Sequence, residues 1–311
     1  MQTFLNPLVK AQGIFCFSDF SFNEGWRASY RMLDNDAIRA KLEHDIKSGA
    51  LKLPGLPDIA VKVRDAVQNE RFNAQEVARL IQTDIPLTAR IIQVANSPLY
   101  RGQTPVEHCR EAVIRLGLDV TRNLVTSFAL RRLFTGKSSS LRVATIDVWK
   151  HSIKVAAIAY TLSRISPGLD PDTAMLGGLL HDIGVLPLLG YLDVQGVDFE
   201  EEGVSQVMEA LRIPIGVAIL REWQFEPEFE DMIREAENWD RKNEKRANYS
   251  DVVVIAQLYT GLGKYRVGNL PKADAIPAFN KFPVFSLGPD ASVELLREAK
   301  EEMMELTRLL S

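Results

Sequence analysis

Histidine and cysteine are both scarce in this 311-residue chain, with four of the first and two of the second. Two cysteines, Cys16 and Cys109, cannot build a disulfide framework and lack the spacing of a cysteine metal site. Cys109 stands beside His108, an adjacency that reads as coincidence rather than as a catalytic pair. Long apolar runs are missing too: none reaches the roughly 20 residues that a membrane span requires. The opening MQTFLNPLVKAQGIFCFSDF has no charged start, apolar block and small-residue cleavage site, so it does not resemble a signal peptide. A reducing, cytoplasmic setting without membrane contact is the expectation. Strand-like alternation is rare, which leaves no strand for a glycine-rich phosphate loop to follow. Ser127 and the other hydroxyls sit in no nucleophile-elbow pattern.

What the chain does have is apolar residues at helical spacing. With 46% hydrophobic and 25% charged residues it can bury a large core. Residues 1–35 show no clear period, and an N-terminal extension is expected over 1–38. The spacing predicts a helix from Asp34 to Gly49, then helices in IAVKVRDAVQN, NAQEVARLIQ, LTARIIQVA, HCREAVIRLG and LDVTRNLVTSFALRRLF. Asn73 with Glu76 three positions on forms a capping box, and Pro86 starts the helix after it. The polar GKSSSLR marks a lobe boundary near residue 140. Further helices are expected in TIDVWKHSIKVAAIAYTLSRIS, in the His-Asp stretch, around 204–211, 214–223 and 226–240, and in YSDVVVIAQLYTGLG. The tail from Ala291 repeats apolar residues at steps of three and four, the pattern of an amphipathic helix that dimerises or packs back on its own chain. The four tryptophans, Trp26, Trp149, Trp223 and Trp239, fit packing positions.

Charge is unevenly spread. Residues 101–142 carry eight Lys/Arg against three Asp/Glu, whereas 198–240 carry thirteen Asp/Glu against three Arg. Two solvated faces explain this as simply as a nucleic-acid surface does, and the net charge of −4 works against the latter. Residues 73–96 have the outline of a helix-turn-helix. Their second helix, LTARIIQVA, offers one arginine and one glutamine among apolar residues, the make-up of a core helix rather than a DNA-reading one.

The most distinctive stretch is DTAMLGGLLHDIGVLPLLG at 172–190, which places His181 and Asp182 side by side in apolar surroundings. Such a pair gains nothing there unless it is partnered. It belongs to a metal site, a catalytic pair or a buried hydrogen-bonded brace.

At this point a family resemblance enters. LPGLPDIAVKV, NAQEVARLIQTDIPLTARIIQVANSPLY and EAVIRLGLDVTRNLV resemble the first lobe of the HDOD family, and WKHSIKVAAIAY followed by GGLLHDIG is similar to an HD-type core. FSLGPDASVELL resembles the region that often follows. That family is related to the HD metal phosphohydrolases, including cyclic-di-GMP phosphodiesterases. The resemblance implies an all-α protein of two packed helical lobes at 39–140 and 141–262, the second HD-like. The irregular segment and amphipathic helix at 263–311 follow, and a role in bacterial signalling is implied.

The same resemblance implies where metal ligands would sit. His151 matches the first position and His181-Asp182 the pair. Arg212 stands where a further histidine would be expected, Ala236 and Glu237 lie nearest to an expected His-His pair, and Gln257 replaces a final aspartate. His44 and His108 belong to the first lobe, so only two histidines remain for the site. A metal centre needs neutral imidazoles and carboxylates, and Arg212 brings a cation that can pair with Asp182 instead. The expectation is a degenerate site of His151, His181, Asp182 and Arg212 with no metal and no cofactor, in a protein that is not an enzyme. Its partner would be a signalling protein. A cyclic dinucleotide or other phosphate ligand is the alternative, with Arg212, or Arg115 and Arg122, contributing charge. A metal-dependent phosphohydrolase with altered ligands, held by His151, His181 and Asp182, is the other reading, and a DNA-binding regulator the third.

Overall fold

The structure, a computed structural model, describes residues 51–69, 72–197, 204–242, 246–260, 275–282, 300–302 and 304–310, with positions 44, 45 and 48. The expected extension at 1–38, most of the first expected helix and the stretches 261–274 and 283–299 lie outside these residues. Among the described residues there is no strand, and the protein is all-α.

The first group of helices comprises α1 (Asp58–Gln68), α2 (Ala74–Ile81), α3 (Ile85–Ala95), α4 (Cys109–Leu116) and α5 (Leu118–Leu130). The capping box is as the sequence requires. The Asn73 side chain accepts from the backbone N–H of Gln75 and Glu76, and the Glu76 carboxylate accepts from Asn73 N–H at 2.8 Å. Asp84 caps α3 by accepting from Leu87 N–H at 3.1 Å. Gly117 ends α4 and starts α5 with φ +81°, a conformation that a side chain would disfavour.

The second group comprises α6 (Ser139–Arg164), α7 (Pro171–Leu180), α8 (Val185–Gln195), α9 (Val204–Glu222), α10 (Pro227–Glu235) and α11 (Tyr249–Thr260). Helix α6 begins inside the polar bridge, with the Ser138 hydroxyl accepting from Leu141 N–H. It packs most closely on α7 and also against α11. Gly178 permits this, because a β-carbon there would lie 2.6 Å from the backbone of Ala156. Helix α9 differs from the expected pair of helices, because it runs unbroken through Pro214. Proline in a helix costs about 3 kcal/mol, but buried residues on both sides, Met208, Leu211, Ile215 and Ile219, hold the turns in line. Pro214 itself faces water, where solvent can serve the carbonyl it leaves unpaired.

Pro171–Gln195 is long and apolar enough to cross a membrane by length and composition alone. Here it is a core stretch: α7 and α8 are separated by a turn at 181–184 and most of it is buried. Behind it, buried Asp251 on α11 accepts from Lys281 Nζ at 2.9 and 3.0 Å and from Arg241 Nη1 at 3.3 Å. These bonds anchor the short 3-10 turn Pro277–Lys281 to the bundle.

Several polar contacts join the two groups. Trp223 Nε1 donates to Pro54 O at 2.8 Å, and Arg64 donates to the carbonyl of Trp223. The Tyr100 hydroxyl, just after α3, donates to Asp172 Oδ1 on α7, and its ring meets Tyr160 of α6 edge-on at 6.5 Å. Burial pushes the Asp172 carboxyl up to about 6, outweighing the Tyr100 hydrogen bond that favours its charged form. Ionising it in the folded protein therefore costs stability. The contribution is intact below the ordinary aspartate range and is lost as pH rises through about 6. Asp172→Asn, which keeps an acceptor for Tyr100, should gain stability relative to wild type as pH rises from 4 to 7, on the order of 2 kcal/mol. Urea denaturation at a series of pH values measures this, and parallel pH profiles for the two proteins would contradict it.

Candidate functional site: a histidine-aspartate pair closed by an arginine

The sequence of the turn explains its position. Helix α7 ends at Leu180, and His181, Asp182, Ile183 and Gly184 form the link to α8. The pair thus lies in a tight turn rather than in the middle of a helix. His181 is 1% exposed. Its Nδ1 lies 2.7 Å from Gly178 O, and because a carbonyl only accepts, that nitrogen carries a proton. Nε2 is then directed at the site, 3.2 Å from Asp182 Oδ2 and without a hydrogen-bond partner among the described residues.

His151 on α6 completes the cluster. Its ring lies edge-on to His181 at 5.2 Å, and its Nε2 is 3.9 Å from Asp182 Oδ2. The same Nε2 is 3.2 Å from Oε1 of Gln257, a fully buried residue on α11. The two side chains are thus within hydrogen-bond distance across the α6–α11 contact.

Arg212 on α9 closes the site. Nη1 donates to Asp182 Oδ1 at 2.5 Å, and Nη2 pairs with Glu237 just beyond α10. The arginine is 8% exposed and its two carboxylate partners are largely covered. Burial works against charge on Asp182, but His181 and Arg212 overcome it and hold the carboxyl well below its usual range. Burial likewise opposes the guanidinium charge, and Asp182 and Glu237 together raise its pKa regardless. Gly184 makes this approach feasible: a β-carbon there would sit 1.9 Å from Arg212 O and 2.6 Å from Gly216 N.

His151, His181 and Asp182 each offer one ligand atom, all within 4.8 Å of one another. In this arrangement two of those residues are also engaged by neighbouring side chains. One oxygen of Asp182 accepts from Arg212, and His151 Nε2 lies against Gln257.

Arg115 and Arg122 are elsewhere. Arg115 on α4 donates to Ala95 O at 3.1 Å, to Asn96 Oδ1 at 3.3 Å and to Thr104 O, bracing the loop after α3. Arg122 on α5 lies against Asn123 and Asp119. In the helix-turn-helix outline, Arg90 is also engaged, with Leu309 O at 3.3 Å and over the ring of Phe128. Glu237 as the second partner of Arg212, and Gln257 as the partner of His151, were not legible beforehand. The only signal was that polar residues stood where ligands were expected.

Comparison with known proteins places the chain in a family. Residues 53–239, more than half of the chain, match the HDOD domain. The chain belongs to the HDOD family. Among solved structures it is similar to a protein of Shewanella amazonensis SB2B provisionally named a metal-dependent phosphohydrolase, with 28% identity, TM-score 0.75 and coverage of 89% of this chain and 99% of the other. It is also similar to an HDOD domain protein of unknown function from Geobacter sulfurreducens, with 26% identity, TM-score 0.64 and coverage of 88% and 99%. An uncharacterized protein of Treponema pallidum is 22% identical over 159 residues, which make up 50% of this chain and 29% of that protein. The match therefore spans less than a third of that relative's length.

Proposed function

We propose that this protein is a non-catalytic regulator that transmits a signal by binding a partner protein through its helical HDOD body. The observation that carries the reading is the Asp182–Arg212–Glu237 bridge. It supplies from within the chain the positive charge that a metal would bring, and it spends a carboxylate oxygen that a metal would need. The site then braces α6, α7, α9 and α11 against one another, and partner recognition falls to the outside of the bundle. Turnover of bis(p-nitrophenyl) phosphate and cyclic di-GMP with added manganese, iron or magnesium tests this. No rate above that of His181→Ala is expected. Metal-dependent hydrolysis that His181→Ala abolishes would overturn the reading.

A second reading keeps a phosphohydrolase built around one ion. It is favoured by the grouping of His151, His181 and Asp182 within 4.8 Å. The same assay decides for it if turnover appears. Calorimetric titration with cyclic di-GMP addresses a nucleotide ligand. The occupied donors of Arg212 and Arg115 lead us to expect no heat, and saturable binding would replace the protein partner with a nucleotide.

A further inference from the structure

The C-terminal helix, described at residues 300–302 and 304–310, touches both groups of helices. At one end Glu302 pairs with Arg164, the last residue of α6. At the other, Leu309 O accepts from Arg90 on α3 at 3.3 Å. Between and beside these contacts Leu306, Leu309 and Leu310 are buried, while Met304 faces solvent. One short helix is therefore fastened by a polar contact to each group and seated by three leucines.

Its position bears on the junction. Arg164 follows Tyr160 by one helical turn, and Tyr160 packs against Tyr100, whose hydroxyl reaches across to Asp172. Arg90 lies on α3, the helix that leads into the loop carrying Tyr100. The helix thus fixes both elements that present the Tyr100–Tyr160–Asp172 contact. Among the described elements α6 and α7 share the most extensive helix contact. Parts of a protein outside its most extensively packed pairing open at lower free energies than that pairing does.

We propose that the C-terminal helix is a clasp. Seated, it holds the two helical groups in one relative setting; released, it lets the Tyr100–Asp172 contact open. The protein then has two states that a partner can tell apart. Only the purpose of those states rests on the regulatory reading, because the test below reads geometry rather than turnover.

The experiment is hydrogen exchange by mass spectrometry on the full chain, comparing wild type, Glu302→Arg, Arg164→Glu and the double swap. Each single reversal should accelerate exchange about tenfold or more around Tyr100 and in the first turn of α7, as well as in 300–310, because exchange reads the local opening equilibrium. The double swap should restore the wild-type pattern. Faster exchange confined to 300–310, no change in any variant, or a swap that fails to recover would each overturn the proposal. Should a charge reversal prevent folding, Leu306→Ala loosens the same helix without a new charge and is judged by the same exchange at Tyr100.

Discussion

Replacing Arg212 with leucine should destabilise the protein by about 3–5 kcal/mol, the cost of leaving buried charge without its partner. Asp182 and Glu237 would both lose their counter-ion, with Asp182 facing the buried nitrogens of His181 and His151. Leucine fills the aliphatic part of the space, so the loss reports charge rather than a cavity. A triple variant, Arg212→Leu with Asp182→Asn and Glu237→Gln, should recover much of it by removing the charges together. Urea denaturation measures both. A single-variant loss below about 1 kcal/mol would mean that water solvates these groups as it does a surface pair. The pH dependence has a definite sign. The pKa of Asp182 is depressed in the folded protein, so its contribution is present above the ordinary aspartate range and disappears as pH falls through the lower folded value.

The second large effect is expected at Gly184. Alanine there would place its β-carbon 1.9 Å from Arg212 O and 2.6 Å from Gly216 N, both backbone atoms that no rotamer change can move aside. The turn and α9 would have to separate, which also draws Arg212 away from Asp182. A loss of about 3 kcal/mol or more is expected, at the upper end of overpacking costs. Gly190→Ala is the control: it lies in α8 with nothing within 4 Å of the added carbon, and should be neutral or stabilising by up to about 1 kcal/mol. Thermal melts of the two variants side by side give the answer. Similar melting temperatures would show that the close approach at Gly184 relaxes at little cost.

Much of the fold was legible because it is local. Helical spacing marked the elements, and the capping box at Asn73 and the glycine after Leu116 gave two boundaries within a residue. The candidate site was legible in part. Arg212 beside Asp182 was expected because the family resemblance put an arginine at a ligand position, where a leftover carboxylate calls for a cation. Its second partner was not, because Glu237 reaches it only through the packing of α10 on α9. Pro214 misled for a related reason: local propensity argues for a break, and only burial on both sides shows why the helix continues. The partners of Arg115, the carbonyls of Ala95 and Thr104, belong to a loop junction whose path no periodicity reveals. The Tyr100–Asp172 bond and the seating of the last helix join residues far apart in sequence, which spacing rules cannot reach.

The most direct test of the central claim is the metal content of protein purified without chelators, wild type beside His181→Ala. If Arg212 supplies the site's positive charge, neither protein carries a stoichiometric divalent ion, and the variant differs only in melting lower. Wild type carrying about one or two ions per chain, with the variant carrying none, would contradict the account and restore the site to metal chemistry.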